Sequence, residues 1–470
     1  MGLLTNIFNF ARNTTLNGLG VERDLLQLIQ DKDISRAKML FQNRDTDVLK
    51  AISEYNPELH DVMKRPNKRR KGKEPYITQK LPRAWQRYIN EIALFFLLAK
   101  PIRWTCSNLD ENNSDAFDAF TSFLESTRFE TTMRQAKRLA GSETECIKLY
   151  HIYRNNDNVP EVKVIVISKS LGYELRPLLD QYGNMVACGY GYYLKEGNTT
   201  VEHFDIQTSE LIYRCKKVQL GWEVTTFINP TGKINMIYYN QIKEWDGADH
   251  RINRDEMVDS KSADTNEYFA DPQAAATADV IAKLADPETV GKLIHLQGKD
   301  SRFEYVEPPT SSEMKESEKK VLRESILNDT FTPDFSFENM KGTGTLSGEA
   351  LRRALILGYI KRDNRKETYD ILVDREKSLI LSIMMNITHI HLRDKLATLK
   401  IKHEFAEPFD EDTDKKWTSI GRAFTDGIIS LETAVKLLAI ANPEEEIERI
   451  KAAKVAEKEE VNYPIGGNEE

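Results

Sequence analysis

The chain has 470 residues, a formal net charge of −8 and 30% charged residues, with a mean hydropathy of −0.53. That length holds more than one compact unit. The acidic balance excludes bulk DNA binding, because non-specific affinity comes from Lys and Arg neutralising phosphates. The longest apolar run, Ala93–Ala99, falls far short of the ~20 residues of a membrane span.

Met1-Gly2 misses the myristoylation pattern because Asn6 stands where Ser or Thr is required, and no secretory h-region follows. Cys106, Cys146, Cys188 and Cys215 are widely spaced, which reads as four ordinary thiols rather than a disulfide framework or zinc site.

Residues 1–65 read as polar helices anchored by Leu25, Leu26, Ile29, Leu40 and Phe41. Lys64 to Lys73 carries seven basic residues in ten, a solvated loop or, on a sharper reading, a phosphate-contacting arm. An apolar stripe predicts a helix over Leu81–Trp104, ended by Pro101, and a second over Ser114–Ala140. The period then changes to two. Thr144–Tyr153, Val162–Ser168, Met185–Leu194, Thr200–Ile206, Leu211–Lys217 and Trp222–Phe227 read as antiparallel strands, and Ile234–Tyr239 as a further extended run. The fold class is α+β.

Asp249–Phe269 and Ser311–Leu327 are helical patterns flanking a small module. Within it, Lys292–Gln297 and Arg302–Val306 read as paired short strands around Gly298, while Ala274–Leu284 has helix composition between Pro272 and Pro287. A glycine-bearing loop follows, Asn339-Met-Lys-Gly-Thr-Gly-Thr-Leu-Ser347. Behind it, a helical pattern runs from Ser347, a plausible N-cap, to Arg393 without a proline. Its apolar stripe passes through Leu351, Leu355 and Tyr359, crosses a charged middle, and resumes at Tyr369. Such a helix is roughly 70 Å long at 1.5 Å per residue. The chain closes with a strand at Leu399–Phe405, helices near 413–426, 430–441 and 443–460, and ten final residues that read as disordered.

No catalytic constellation emerges. Gly342 to Gly348 opens a helix as a phosphate cradle does, but Glu349 stands where a P-loop needs Lys. Gly189-Tyr-Gly191 is too short for a dinucleotide fingerprint, and His389 and His391 at i, i+2 do not share a helix face. The expectation is no enzyme activity, no cofactor and no metal.

Several stretches taken in order resemble one family, the portal proteins of tailed double-stranded-DNA bacteriophages of the long-tailed siphophage type. They are Lys80-Leu-Pro82 to Lys100-Pro-Ile102; Asn229-Pro-Thr-Gly-Lys-Ile234 with Ile237-Tyr-Tyr239 and Glu244-Trp245; Ala263 to Ala270; Gly291-Lys-Leu-Ile-His-Leu296 with Val306-Glu-Pro-Pro309; Thr332-Pro-Asp334 to Ser347-Gly-Glu-Ala-Leu351; and Asp426 to Thr433 with Pro443 to Ile450.

The resemblance implies a portal fold with a helical core, an antiparallel β wing, two stem helices flanking a small α/β clip, one very long helix and a helical crown. Residues 1–248 would be the wing, 249–269 and 311–329 the stem helices, 270–310 the clip, 330–347 the tunnel loop, 348–398 the long wing helix, and 399–470 the crown with a disordered tail. Against the family's pattern, Ala274–Leu284 is alanine-rich where a β-segment is favoured.

Also implied is a homo-oligomeric ring of about twelve subunits, at one capsid vertex of the virion, assembled in the host cytoplasm. Double-stranded DNA would pass through it without sequence specificity, past a tunnel loop of Asn339, Met340, Lys341, Gly342, Thr343, Gly344, Thr345 and Leu346. The clip residues Lys292, His295, Gln297, Lys299, Arg302 and Glu304 would meet partners. Those partners are the large terminase subunit and the head–tail adaptor, with major capsid and scaffolding proteins also in contact and no membrane. The alternative is a non-enzymatic oligomeric scaffold or adaptor with the same α+β layout.

Overall fold

The structure is a computed structural model. It describes residues 18–68, 76–270, 274–276, 303–305, 312–336, 353, 355–409, 413–438 and 443–460. Two compact units result, one of Met1–Asp334 with Leu357–Ala406, the other of Phe335–Ile356 with Glu407–Glu470.

The first unit begins with helices α1 (Gly18–Gln30), α2 (Ile34–Leu40) and α3 (Asp45–Tyr55), then α4 (Trp85–Leu98) and strand β1 (Arg103–Cys106). Helices α5 (Ser114–Ser126) and α6 (Phe129–Glu143) precede the β region. That region runs β2 (Glu145–Arg154), β3 (Pro160–Ile167), β4 (Glu174–Leu179), β5 (Met185–Glu196), β6 (Thr199–Gln207), β7 (Leu211–Val218), β8 (Gly221–Ile228) and β9 (Met236–Asn240). Next come α7 (Asp249–Ala270), β10 (Ala274–Ala276), β11 (Phe303–Tyr305), α8 (Ser312–Asp329), α9 (Ile356–Ile383), α10 (Arg393–Thr398) and β12 (Ile401–Glu404). The fold is α+β, helices with antiparallel sheets.

Strands β4 to β8 form one antiparallel sheet in sequential order, and β3-β2-β9 a second. The period of two assigns each face. On β2, Ile147 and Leu149 pack with Leu175, Cys188 and Tyr190 between the two sheets. Cys146 and Tyr150 point the other way, into a core with Phe120, Phe129 and Met133 of α5 and α6 and Tyr369, Val373 and Ile380 of α9. The outer face of the larger sheet, Phe204, Ile206 and Tyr213, is covered by Leu25, Ile29, Ile34 and Phe41, so the apolar anchors read at the amino end are core residues.

Strand β4 escapes the sequence pattern because Arg176-Pro177 interrupts it. It lies at the sheet edge, where a proline costs no ladder bond, and Gln42 N–H donates to the Pro177 carbonyl at 3.0 Å. The helix expected over Ser114–Ala140 is two helices. Ser126 and Thr127 hydroxyls donate back to the Phe123 carbonyl at 2.9 and 2.8 Å, and Arg128 adopts φ 52°. No glycine or proline marks the break.

Two further expectations are corrected. Leu81–Ala84 lies ahead of the helix, which begins at Trp85, as Pro82 disfavours helix in the residue before it, and Arg103–Cys106 is a strand paired with Glu404–Ile401. The helix read from Ser347 to Arg393 is shorter. Its described part, α9, holds 28 residues, about 42 Å. A π-turn over Met384–Thr388 follows, closed by His389 N–H to the Met384 carbonyl at 2.8 Å. The proposed N-cap Ser347 lies outside the described residues.

Gly358 on α9 shows why the helix carries a glycine there. A Cβ would stand 2.2 Å from Phe96 Cζ, and Phe96 is fully buried. Gly358→Ala, which gains helix propensity of ~1 kcal/mol, is nevertheless expected to lower stability by ~1–3 kcal/mol through overpacking. Urea unfolding checks the sign.

In the second unit, α11 (Thr413–Thr425), α12 (Leu431–Leu437) and α13 (Pro443–Glu460) bury Ile420, Ala434, Val435 and Ile447. Ser430 caps α12 by accepting from Thr433 N–H at 3.2 Å. Gly427, at φ 73°, turns the chain after α11.

Candidate functional site

Helices α7 and α8 run antiparallel and are held by polar contacts. Arg254 pairs with Glu318 at 2.7 Å, Lys315 donates to Thr265 at 3.3 Å, and Lys319 and Arg251 pair with Asp259 and Asp329. Only near their base do Ile252 and Ile326 join an apolar cluster, with Ala51, Ile89 and Trp245. Along α8, Glu313, Glu316, Lys320 and Glu324 are exposed. Three carboxylates against one ammonium make this a surface that does not grip phosphate.

One face of α7 is bound by the segment that precedes α4. Glu256, Ser260 and Asp264 recur every four residues and so share a face. Arg83, Leu81 and Gln79 backbone N–H groups donate to them at 2.9, 3.0 and 2.7 Å. Arg83 also pairs with Asp259 at 2.6 Å, and Trp85 Nε1–H donates to Asp255 at 2.8 Å. His60 bridges Glu256 (Nδ1, 2.6 Å) and the Glu54 carbonyl (Nε2, 2.7 Å). Burial pushes its pKa down, but the Glu256 hydrogen bond and charge outweigh that and raise it.

The basic run is partly absorbed here. Arg65 is largely buried and pairs with Asp264 at 2.8 Å, and Lys68 approaches Asp264 at 3.8 Å. Arg65 is thus a structural tie, while Lys68 stays exposed to solvent beside it. Residues 69–75 lie outside the described residues.

Where the α7–α8 hairpin joins α9 there is a buried charge centre. Glu244, five residues before the start of α7 and fully buried, is matched by Lys137 of α6, Arg365 at 3.0 Å and Lys361 at 3.5 Å. Burial opposes ionisation, but Lys137, Lys361 and Arg365 together hold the Glu244 carboxyl far below the usual range. Lys361 donates in addition to the carbonyls of Thr330 (3.0 Å) and Glu244 (3.3 Å) and to Thr332 Oγ1 (3.3 Å). Tyr88 donates to the Pro333 carbonyl at 3.1 Å and Arg323 pairs with Asp334 at 2.8 Å. The chain leaving α8 is thus fastened up to Asp334.

A second centre fixes α9 to the smaller sheet. Glu376 pairs with Lys148 and accepts from the Tyr150 and Tyr239 hydroxyls, the latter at 2.7 Å, and all four side chains are buried.

Of the residues singled out from sequence, Asn339 to Leu346 lie outside the described residues, as do Lys292, His295, Gln297, Lys299 and Arg302. Glu304 lies in β11, opposite Ala275. Phe303–Tyr305 pairs with Ala274–Ala276, the start of a stretch read as helical, which corrects that reading; Lys292–Gln297 lies outside the described residues. Gly189 and Gly191 serve packing, since a Cβ on Gly189 would stand 2.5 Å from Phe204 Cζ.

The sequence reading missed the Glu244 centre. Its signal was the charged middle of α9, Lys361 to Arg365, set inside a continuing apolar stripe, where Lys361 and Arg362 are buried.

The described residues form mixed helices and antiparallel sheets, with a polar α7–α8 helix pair whose ends meet a buried charge centre. Residues 39–460 match the model of the family described as phage portal protein, SPP1 Gp6-like, and the chain belongs to that family. Two solved structures are similar to it. The neck of an empty gene transfer agent particle, computed with C6 symmetry, matches at TM-score 0.43 and 13% identity, covering 76% of this chain and 89% of that chain. The virion of a native gene transfer agent particle matches at TM-score 0.41 and 12% identity with the same coverages. No curated protein matches.

Proposed function

We propose that the protein assembles about twelve copies into a ring at one capsid vertex, a conduit through which the terminase motor packages genomic DNA and through which the DNA is later ejected. The ring also serves as the platform for the head–tail adaptor, and it carries out no chemistry of its own. Residues 1–248 form the wing, 249–269 and 311–329 the stem helices, 270–310 the clip, 330–347 the tunnel loop, 348–398 the wing helix and 399–470 the crown. Family membership over residues 39–460 carries this reading.

The polar α7–α8 hairpin supports it. A helix pair with so thin an apolar stripe is stabilised by neighbours, which a ring supplies, and the acidic outer row of α8 suits a wall past which phosphates slide. Lys341 of the tunnel loop is the residue to give passing DNA a brief phosphate contact.

Deleting Asn339–Leu346 is expected to leave rings intact while DNA packaging is lost. Lys341→Glu is expected to impair packaging more than Lys68→Glu, whose ammonium already lies near Asp264. Filled heads from the deletion variant, or equal effects of the two substitutions, argue for the scaffold or adaptor reading instead.

A further inference from the structure

We propose that Lys361 is a positioning residue of the conduit: one buried ammonium on α9 that fastens both ends of the α7–α8 hairpin to the body of the subunit, and does so releasably. This rests on the portal reading for its purpose and on the subunit's geometry for its existence.

Three observations carry it. Lys361 donates to the Glu244 carbonyl ahead of α7 and to the Thr330 carbonyl and Thr332 hydroxyl after α8. These groups are 86 residues apart in sequence at their nearest, Glu244 to Thr330, and one side chain ties them. The side chain is buried, so removing it takes a donor from the buried Glu244 carbonyl and leaves the Thr330 carbonyl with the Thr332 hydroxyl as its remaining side-chain donor. The third observation concerns charge. Lys137, Lys361 and Arg365 share the single carboxylate of Glu244, so the centre holds more cation than anion.

That excess makes the fastening releasable. Burial, with the repulsion of Lys137 and Arg365 outweighing part of the attraction of Glu244, lowers the Lys361 pKa to about 8. In a locally opened hairpin the ammonium is hydrated and returns to ~10.4. The closed fastening therefore binds fewer protons than the open one, and closure strengthens as pH rises through about 8 towards ~10.4. Between pH 7 and pH 9 these two values make opening about tenfold rarer. Near neutral pH the fastening is held under charge strain, a state from which moving DNA can displace the hairpin without unfolding the subunit.

Lys361→Met is expected to fold, because Lys137 and Arg365 still match Glu244. The test is amide hydrogen exchange of the full-length protein between pH 7 and pH 9.5, corrected for the intrinsic rate and followed at residues 245–252 and 326–332. In the native chain, opening at both ends falls together by about tenfold from pH 7 to pH 9. In Lys361→Met that slope becomes shallower, the remainder belonging to Lys137, whose pKa burial also lowers, and at pH 9 both ends open at least about tenfold more often than in the native chain. A native chain without the slope, a variant with the slope undiminished, or two ends that respond independently overturns the fastening. Because the exchange is measured on the subunit, this outcome is separate from whether rings conduct DNA. If the fastening is lost as expected and Lys361→Met rings still package full-length genomes at the native rate, the positioning role in the conduit is overturned.

Discussion

Glu244→Ala should cost ~3–5 kcal/mol of stability, among the largest single effects in the subunit. The carboxylate is fully buried and is the counter-charge for Lys137, Lys361 and Arg365. Removing it leaves three cations close together with no anion, two of them deeply buried, and an uncompensated buried charge is among the few lesions that reach this size. Gln241 and Tyr369, hydrogen-bonded beside it, cannot replace the charge. Glu244→Gln keeps the shape and should fall almost as far. The urea midpoint of the transition that includes α6 and α9 reports the loss. A change below ~1 kcal/mol would mean that water reaches the centre and that its charges are not mutually dependent.

The second large effect is at Glu376, and there a double substitution is the informative one. Glu376→Leu strands Lys148 in a fully buried site, and Lys148→Met strands Glu376, so each single change should cost ~3–5 kcal/mol. Together they remove both charges, leaving the Tyr150 and Tyr239 hydroxyls without their acceptor at ~1–3 kcal/mol. The double variant should therefore be far less damaged than the sum of the singles, with a coupling of at least ~2 kcal/mol. Additive losses would show that the pair is not what joins α9 to the sheet.

These two centres also show what the sequence made legible and what it hid. Apolar periodicity exposed most elements, because burial on one face leaves a period of two in β7 or of 3.6 in α4. It could not expose contacts whose partners are distant in sequence. Nothing local shows that Lys361 and Arg365, in the charged middle of a helix, face Glu244, or that residues 79–85 lie along Glu256, Ser260 and Asp264. Boundaries failed where the cause was local hydrogen bonding without glycine or proline, as at Arg128 and His389. They failed also where tertiary pairing outweighs propensity, as for the Ala274–Ala276 strand. The tunnel loop and most of the clip contacts rest on the family resemblance alone.

The most direct test of the portal reading is an image of the purified full-length protein by electron microscopy. The account predicts closed rings with an open axial channel, and residues 339–346 at its wall. Monomers and dimers alone, at every salt and protein concentration that supports assembly of related particles, would contradict it.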